Sequence, residues 1–409
     1  MVFRLFQYGR QAIGRHPRIT LGVVFFLVLA GSAGGVNLWA FYQWREADRA
    51  VHAEHWDEAR RHIQLCLRVW PASATAHLQA ARIDRLAGDY QEAETHLEEC
   101  RRLQGEATEA TQLEWLLLRA QQGDVDEVSG DLLAAIQAGH PESALILEAL
   151  ARAYMREGRY WPARYCLTQW LEREPDTVRA LHWRGLVLEK LEQRPGAIQD
   201  YRRALELAPE RSDIRLHLAE ALVNESMFRE ALPHLEQLHR QDPDQPDVLV
   251  GLARCRFQMG QLAEARRLLK EALAHHPDHA MALLHLGKLE LATGHPQEAE
   301  VLLRRAAQVD PYHLEIHYNL QQSLEHQPLR HQEAAAELEV YQKLKKDQDR
   351  LAFLLRKQLD QGPPNAEVAS EIGAILLRTG QEALGLHWLR KALRIDPGHK
   401  PTREVLARY

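Results

Sequence analysis

Prolines stand at Pro141, Pro175, Pro209, Pro243, Pro277 and Pro311, each 34 residues after the last. The same spacing links Pro363 to Pro397. A fixed period of this size belongs to chains that stack one small unit many times. It overrides the two or three globular domains that 409 residues would otherwise suggest. The stretch from Val178 to Pro209, VRALHWRGLVLEKLEQRPGAIQDYRRALELAP, shows the unit: two short amphipathic helices with a turn between them.

Paired helices need a small side chain where their backbones approach. The first helix of successive units offers Ala47, Ala81, Ala151, Gly185, Ala219, Ala253, Gly287 and Gly373 at that position. Early in the second helix the position holds Ala59, Ala93, Ala163, Ala197, Ala231, Ala265 and Ala299, with Gly385 in the last unit. A third site holds Cys66, Cys100, Ala204, Ala272, Ala306 and Ala392. Gly88, Gly158, Gly260, Gly294 and Gly380 fall between the helices, where a C-terminus wants a left-handed residue. Pro162, Pro195 and Pro296 mark second-helix starts.

This pattern resembles the tetratricopeptide repeat. Gly185, Ala197, Tyr201, Ala204 and Pro209 carry the resemblance in one unit, and Leu235, Leu269 and Leu303 continue the Tyr201 position. The match runs over roughly residues 40 to 397. It implies an all-α, right-handed α-solenoid of about ten helix-turn-helix units, whose inner groove binds peptides or partner domains. Two segments depart from the pattern. Residues 106–141 lose the second-helix alanine register. Residues 312–363 begin well at Tyr318, Asn319 and Leu320, then carry an inserted HQPLRHQ stretch and a charged segment that reads as one long helix or two.

Ahead of the repeats, residues 1–18 hold Arg4, Arg10, Arg15 and Arg18 and no acid. From Ile19 to Tyr42 there is no charged residue in 24, enough helix to cross about 30 Å of hydrocarbon. Trp39, Phe41, Tyr42 and Trp44 make an aromatic belt at its far end. Residues 19–42 are therefore expected to be a transmembrane anchor. A cleaved signal peptide ending near Gly31-Ser32-Ala33 is the competing reading; the apolar run continues nine residues past that site, which favours the anchor. The arginines place the N-terminus in the cytoplasm. The expected location is thus a single-pass protein of the cytoplasmic membrane, bacterial in organisation, with periplasmic repeats. Almost no linker separates span from solenoid, and Ala40–Ala53 can continue the span into the first repeat helix. Residues 43–397 form the expected solenoid, and 398–409 a short capping helix.

The net charge of −6 conceals an asymmetry. Setting aside the four N-terminal arginines leaves 47 of the 51 basic side chains against 57 acidic ones, a net −10. That argues against a generally basic nucleic-acid binder. The four cysteines, Cys66, Cys100, Cys166 and Cys255, form no C-x-x-C pair and read as small apolar packing residues. No phosphate-binding, dinucleotide, zinc-protease or nucleophile-elbow motif is written here. The histidine cluster His275, His276 and His279 straddles a repeat boundary and reads as surface turn residues. We expect no catalytic residues, no metal and no cofactor.

By the family's geometry, the exposed positions of the first helices line the groove. They hold Arg82 and Arg85, Glu148, Arg152 and Arg156, His182 and Lys190, Glu220 and Asn224, Arg254, and Lys288. Arginine binds carboxylates bidentately. The expected function is therefore a non-catalytic scaffold that accepts an acidic or C-terminal peptide segment, in assembly of an envelope complex. The expected partners are proteins or peptides, and the membrane. The alternatives are a self-associating structural protein, which the glycine-bearing span would allow, and an accessory subunit of a membrane enzyme, secretion or polysaccharide system.

Overall fold

The computed structural model describes the backbone of residues 17–361 and 365–408, with side chains for 34–356 and 365–408. Among the described residues there is no strand. The chain divides into two compact units, Met1–Leu132 and Leu133–Tyr409.

In the first unit, one helix runs from Pro17 to His52 (α1). Its last turns pair with α2 (Trp56–Val69), and α3 (Ala74–Ala87) pairs with α4 (Tyr90–Gln104). The junction expected at Ala40–Ala53 is continuous helix as far as His52. Among the described residues no helix is long and apolar enough to cross a membrane. The expected span at 19–42 is not supported by them, and its residues 19–33 have side chains outside the described set. The first irregular segment becomes α5 (Glu109–Arg119), a π turn over Ala120–Asp124, and α6 (Val125–Gln137). Gly123 breaks the helical path there at φ 113°.

Among the described residues the second unit stacks seven pairs. These are α7 (Ser143–Arg156) with α8 (Tyr160–Arg173), α9 (Val178–Lys190) with α10 (Arg194–Leu207), and α11 (Ser212–Asn224) with α12 (Phe228–Gln241). Next come α13 (Pro246–Gln258) with α14 (Leu262–His275), and α15 (Ala280–Ala292) with α16 (Pro296–Val309). The last are α17 (Leu314–Glu325) with α18 (His331–Gln361), and α19 (Ala366–Arg378) with α20 (Glu382–Ile395). A short α21 (Lys400–Leu406) packs on the final pair.

The repeat's small positions are buried, as their spacing predicts: Ala59, Ala93, Ala197, Ala265 and Ala299 have no exposed surface. The glycines show why the position is small. A Cβ on Gly373 would stand 2.7 Å from Leu389, and one on Gly287 2.8 Å from Leu303. All four cysteines are buried thiols, and Cys66 donates to the Ala40 carbonyl at 3.2 Å. Between the helices of other units, Glu54, Glu192 and Ser226 take the left-handed turn that Gly88 and Gly260 take elsewhere. They hold it without glycine's freedom.

Successive first helices of the second unit touch one another more closely than successive second helices do. That puts α9, α11, α13, α15 and α17 on the inside of its curve. The charged segment forms a single 31-residue helix, α18, which reaches back to α8. The unit then closes on itself. Trp388 of α20 is fully buried and donates its indole N–H to the Glu157 carbonyl at 3.1 Å, across 231 residues of sequence. Lys391 Nζ sits 3.0 Å from the Glu157 carboxylate, and His387 lies 3.4 Å from its other oxygen. The repeat period forecasts the stacking but not this closure.

Candidate functional site

Each first helix buries one stripe against its own partner and turns another toward the inside of the curve. The charges on that inner stripe are largely answered by charges of the neighbouring repeat. Arg179 pairs with Glu148 at 2.6 Å, His279 with Asp247 at 3.2 Å, and Lys288 with Glu315. Of the expected groove residues, Glu148 and Lys288 thus already carry a partner from the neighbouring repeat.

The expected groove residues separate accordingly. Arg82 and Arg85 belong to the first unit, where both close on Glu114 of α5. Arg85 has no exposed surface, so it holds α3 to α5 and cannot meet a partner. In the second unit Glu148 is buried at its Arg179 pair. His182 is buried too, with its ring against Tyr201 and His217. Burial, then the His217 ring, pushes His182 down to about 4, so it is neutral at ordinary pH. Arg152 is half-buried, and Arg156 and Lys190 are exposed, at the inner ends of α7 and α9.

Four expected residues do converge. Glu220 and Asn224 on α11, Arg254 on α13 and Lys288 on α15 occupy adjacent inner positions of three successive repeats. Arg254 Nη2 donates to Asn224 Oδ1 at 2.9 Å. Asn224, Arg254 and Lys288 line a cavity of about 200 Å³. Its floor is apolar, with Val223, Phe257 and Leu269. His285 completes the wall, and its Nε2 is enclosed without a hydrogen-bond partner. Burial, then Arg254 and Lys288, holds His285 well below the usual histidine range. Burial, then Asp247 and Glu189, raises Glu220 to about 7. The corner therefore combines an arginine, a lysine, an amide, a neutral imidazole and an apolar floor. It is suited to a carboxylate borne on an apolar group.

Sequence reasoning missed His285 and Phe257. Both were one helical turn from residues it named, His285 three before Lys288 and Phe257 three after Arg254. Spacing of i, i+3 on one helix face was the available signal. The histidine cluster resolves as turn chemistry: the His279 ring accepts the Ala282 N–H at 3.2 Å and caps α15.

Stacked helix pairs of this kind define an α-solenoid. Tetratricopeptide repeat family models match residues 178–211, 223–286 and 257–324. Residues 178–211 and 223–324 are thus tetratricopeptide repeats, which supports a protein-interaction role. Among curated proteins nothing matches. Similar solved structures include MamA (41-end) from Desulfovibrio magneticus RS-1, at 18% identity over 41% of this chain and 95% of that one, with TM-score 0.37. YrrB, described as a TPR protein with an unusual peptide-binding site, has 21% identity over 46% and 96%, with TM-score 0.37. A human IFIT1 dimer with m7Gppp-AAAA has 18% identity over 79% and 90%, with TM-score 0.42. None superposes well enough to lend its ligand or its assembly to this chain.

Proposed function

We propose that the chain is a membrane-anchored, non-catalytic adaptor that holds an acidic or C-terminal peptide segment of a partner protein on the inner face of its second unit. The corner of Asn224, Arg254, His285 and Lys288 over an apolar floor carries this reading. A carboxylate there would displace Asn224 from Arg254 and take a bidentate pair. Its apolar group would enter the cavity beside Phe257 and Leu269. The uncharged run Ile19–Tyr42 supports the anchor, and the N-terminal arginines support a cytoplasmic N-terminus with periplasmic repeats. An anchor raises the local concentration of a bound partner, which suits assembly of a bacterial envelope complex.

The test is titration of short peptides onto the full chain in detergent. The peptides end in a free carboxylate after an aromatic or branched residue, and the same peptides are then amidated. Binding that falls tenfold or more on amidation, and again in Arg254→Ala, supports the reading. Equal binding of both forms contradicts it.

A further inference from the structure

The first helix pair of the first unit carries a second surface. Helix α2 runs back along α1 and ends level with residue 37. Trp70 Nε1 donates to Asn37 Oδ1 at 2.7 Å, and Cys66 bonds the Ala40 carbonyl one turn further along. These bonds fix the loop 70–73 beside the last residues of the uncharged run.

That region is apolar and uncovered. Leu38 is 72% exposed, and Trp39, Phe41 and Tyr42 are also exposed. Phe41, Trp44, Trp70 and Pro71 border a shallow apolar depression that joins α1 to the loop.

On the anchor reading, length suggests what meets this face. A helix needs about 20 residues to cross hydrocarbon. Counted from Ile19, these end near Leu38, level with Asn37 and therefore with Trp70. Tryptophan and tyrosine favour the headgroup level. We infer that the face formed by Phe41, Trp44, Trp70 and Pro71 seats in the headgroup layer of the bilayer, so that the first repeat lies on the membrane and is not held off it. This rests on the membrane-anchor reading. A two-point contact, by α1 and by the loop, fixes the first pair's tilt where the span alone would leave it free to rotate.

The experiment places an environment-sensitive fluorophore on an introduced thiol of the full chain, in vesicles of phosphatidylethanolamine and phosphatidylglycerol. The native thiols are buried and do not compete. Ala72→Cys reports the loop, Gln91→Cys the opposite edge of the same unit, and Thr75→Cys stands in if Ala72→Cys misfolds. The expected result is a blue-shifted emission at 72, with iodide quenching reduced severalfold relative to 91. Carbonate-resistant chain with equal quenching at 72 and 91 overturns the seating while the anchor stands. Chain released by carbonate overturns both. Shielding at 72 that persists in detergent and disappears on dilution assigns the face to a second copy and also overturns the proposal.

Discussion

Lys391→Met should loosen the second unit at the contact between its ends. Glu157 is 3% exposed and Lys391 5%, with 3.0 Å between their charged atoms. Removing one member of a buried pair costs about 3–5 kcal/mol, because the remaining charge is stranded. Here His387 at 3.4 Å and Arg159 at 3.3 Å stay beside Glu157, so the lower end, about 3 kcal/mol, is expected. That is about two decades in an opening equilibrium. Amide hydrogen exchange reads it directly, since local opening sets exchange in segments of low stability. Peptides covering 150–160 and 382–395 should speed up together by about a hundredfold, while α13 to α16 keep their protection. A cycle with Glu157→Gln isolates the pair, and its coupling should exceed about 1 kcal/mol. Coupling near the few tenths of an exposed pair would refute the reasoning, as would faster exchange confined to one of the two segments.

Acid acts on the same contact. Burial would raise Glu157, but His387, Lys391 and Arg159 outweigh it and hold the carboxyl at about 2. A depressed carboxyl stabilises the fold above its unfolded value near 4.5 and loses that contribution as pH falls toward 2. Closure measured by exchange should weaken across that window in the wild type and change less in Glu157→Gln. Gly373→Ala should destabilise more than Gly287→Ala, by about 1 kcal/mol or more in a thermal melt. A Cβ at 373 meets the Gly385 backbone oxygen at 2.9 Å as well as Leu389, whereas one at 287 meets only the movable Leu303 side chain. Glu192→Gly should raise stability by a few tenths to about 1 kcal/mol, because Glu192 holds φ 56° and glycine adopts that turn without the Cβ clash. Ser226→Gly should act in the same direction.

The helical stack was legible because its cause is local and repeated. A small residue every 34 positions and a breaking proline recur unit after unit, and Gly185, Ala197 and Ala204 are buried where the period puts them. Closure was not legible, since Trp388 and Glu157 are joined by a contact that no repeat predicts. The inner charges were legible as positions but not as states. Arg85 looks like its exposed counterparts until Glu114 arrives from a helix outside the regular register. His285 looked unremarkable in sequence because its surroundings come from Arg254, one repeat away. The span expected of the first helix came from composition alone; among the described residues no helix is long and apolar enough to cross a membrane, and the structure adds that the helix continues unbroken to His52.

The most direct test of the adaptor reading is selection of random peptides on the immobilised full chain, repeated on the Arg254→Glu, Lys288→Glu double variant. Enriched sequences should place a carboxylate next to an aromatic or branched residue. They should bind the wild type and lose at least tenfold on a variant that keeps its helical spectrum. Peptides without a carboxylate, or peptides that bind both proteins equally, would contradict the claim that the Asn224–Arg254–Lys288 corner is where this solenoid takes hold of its partner.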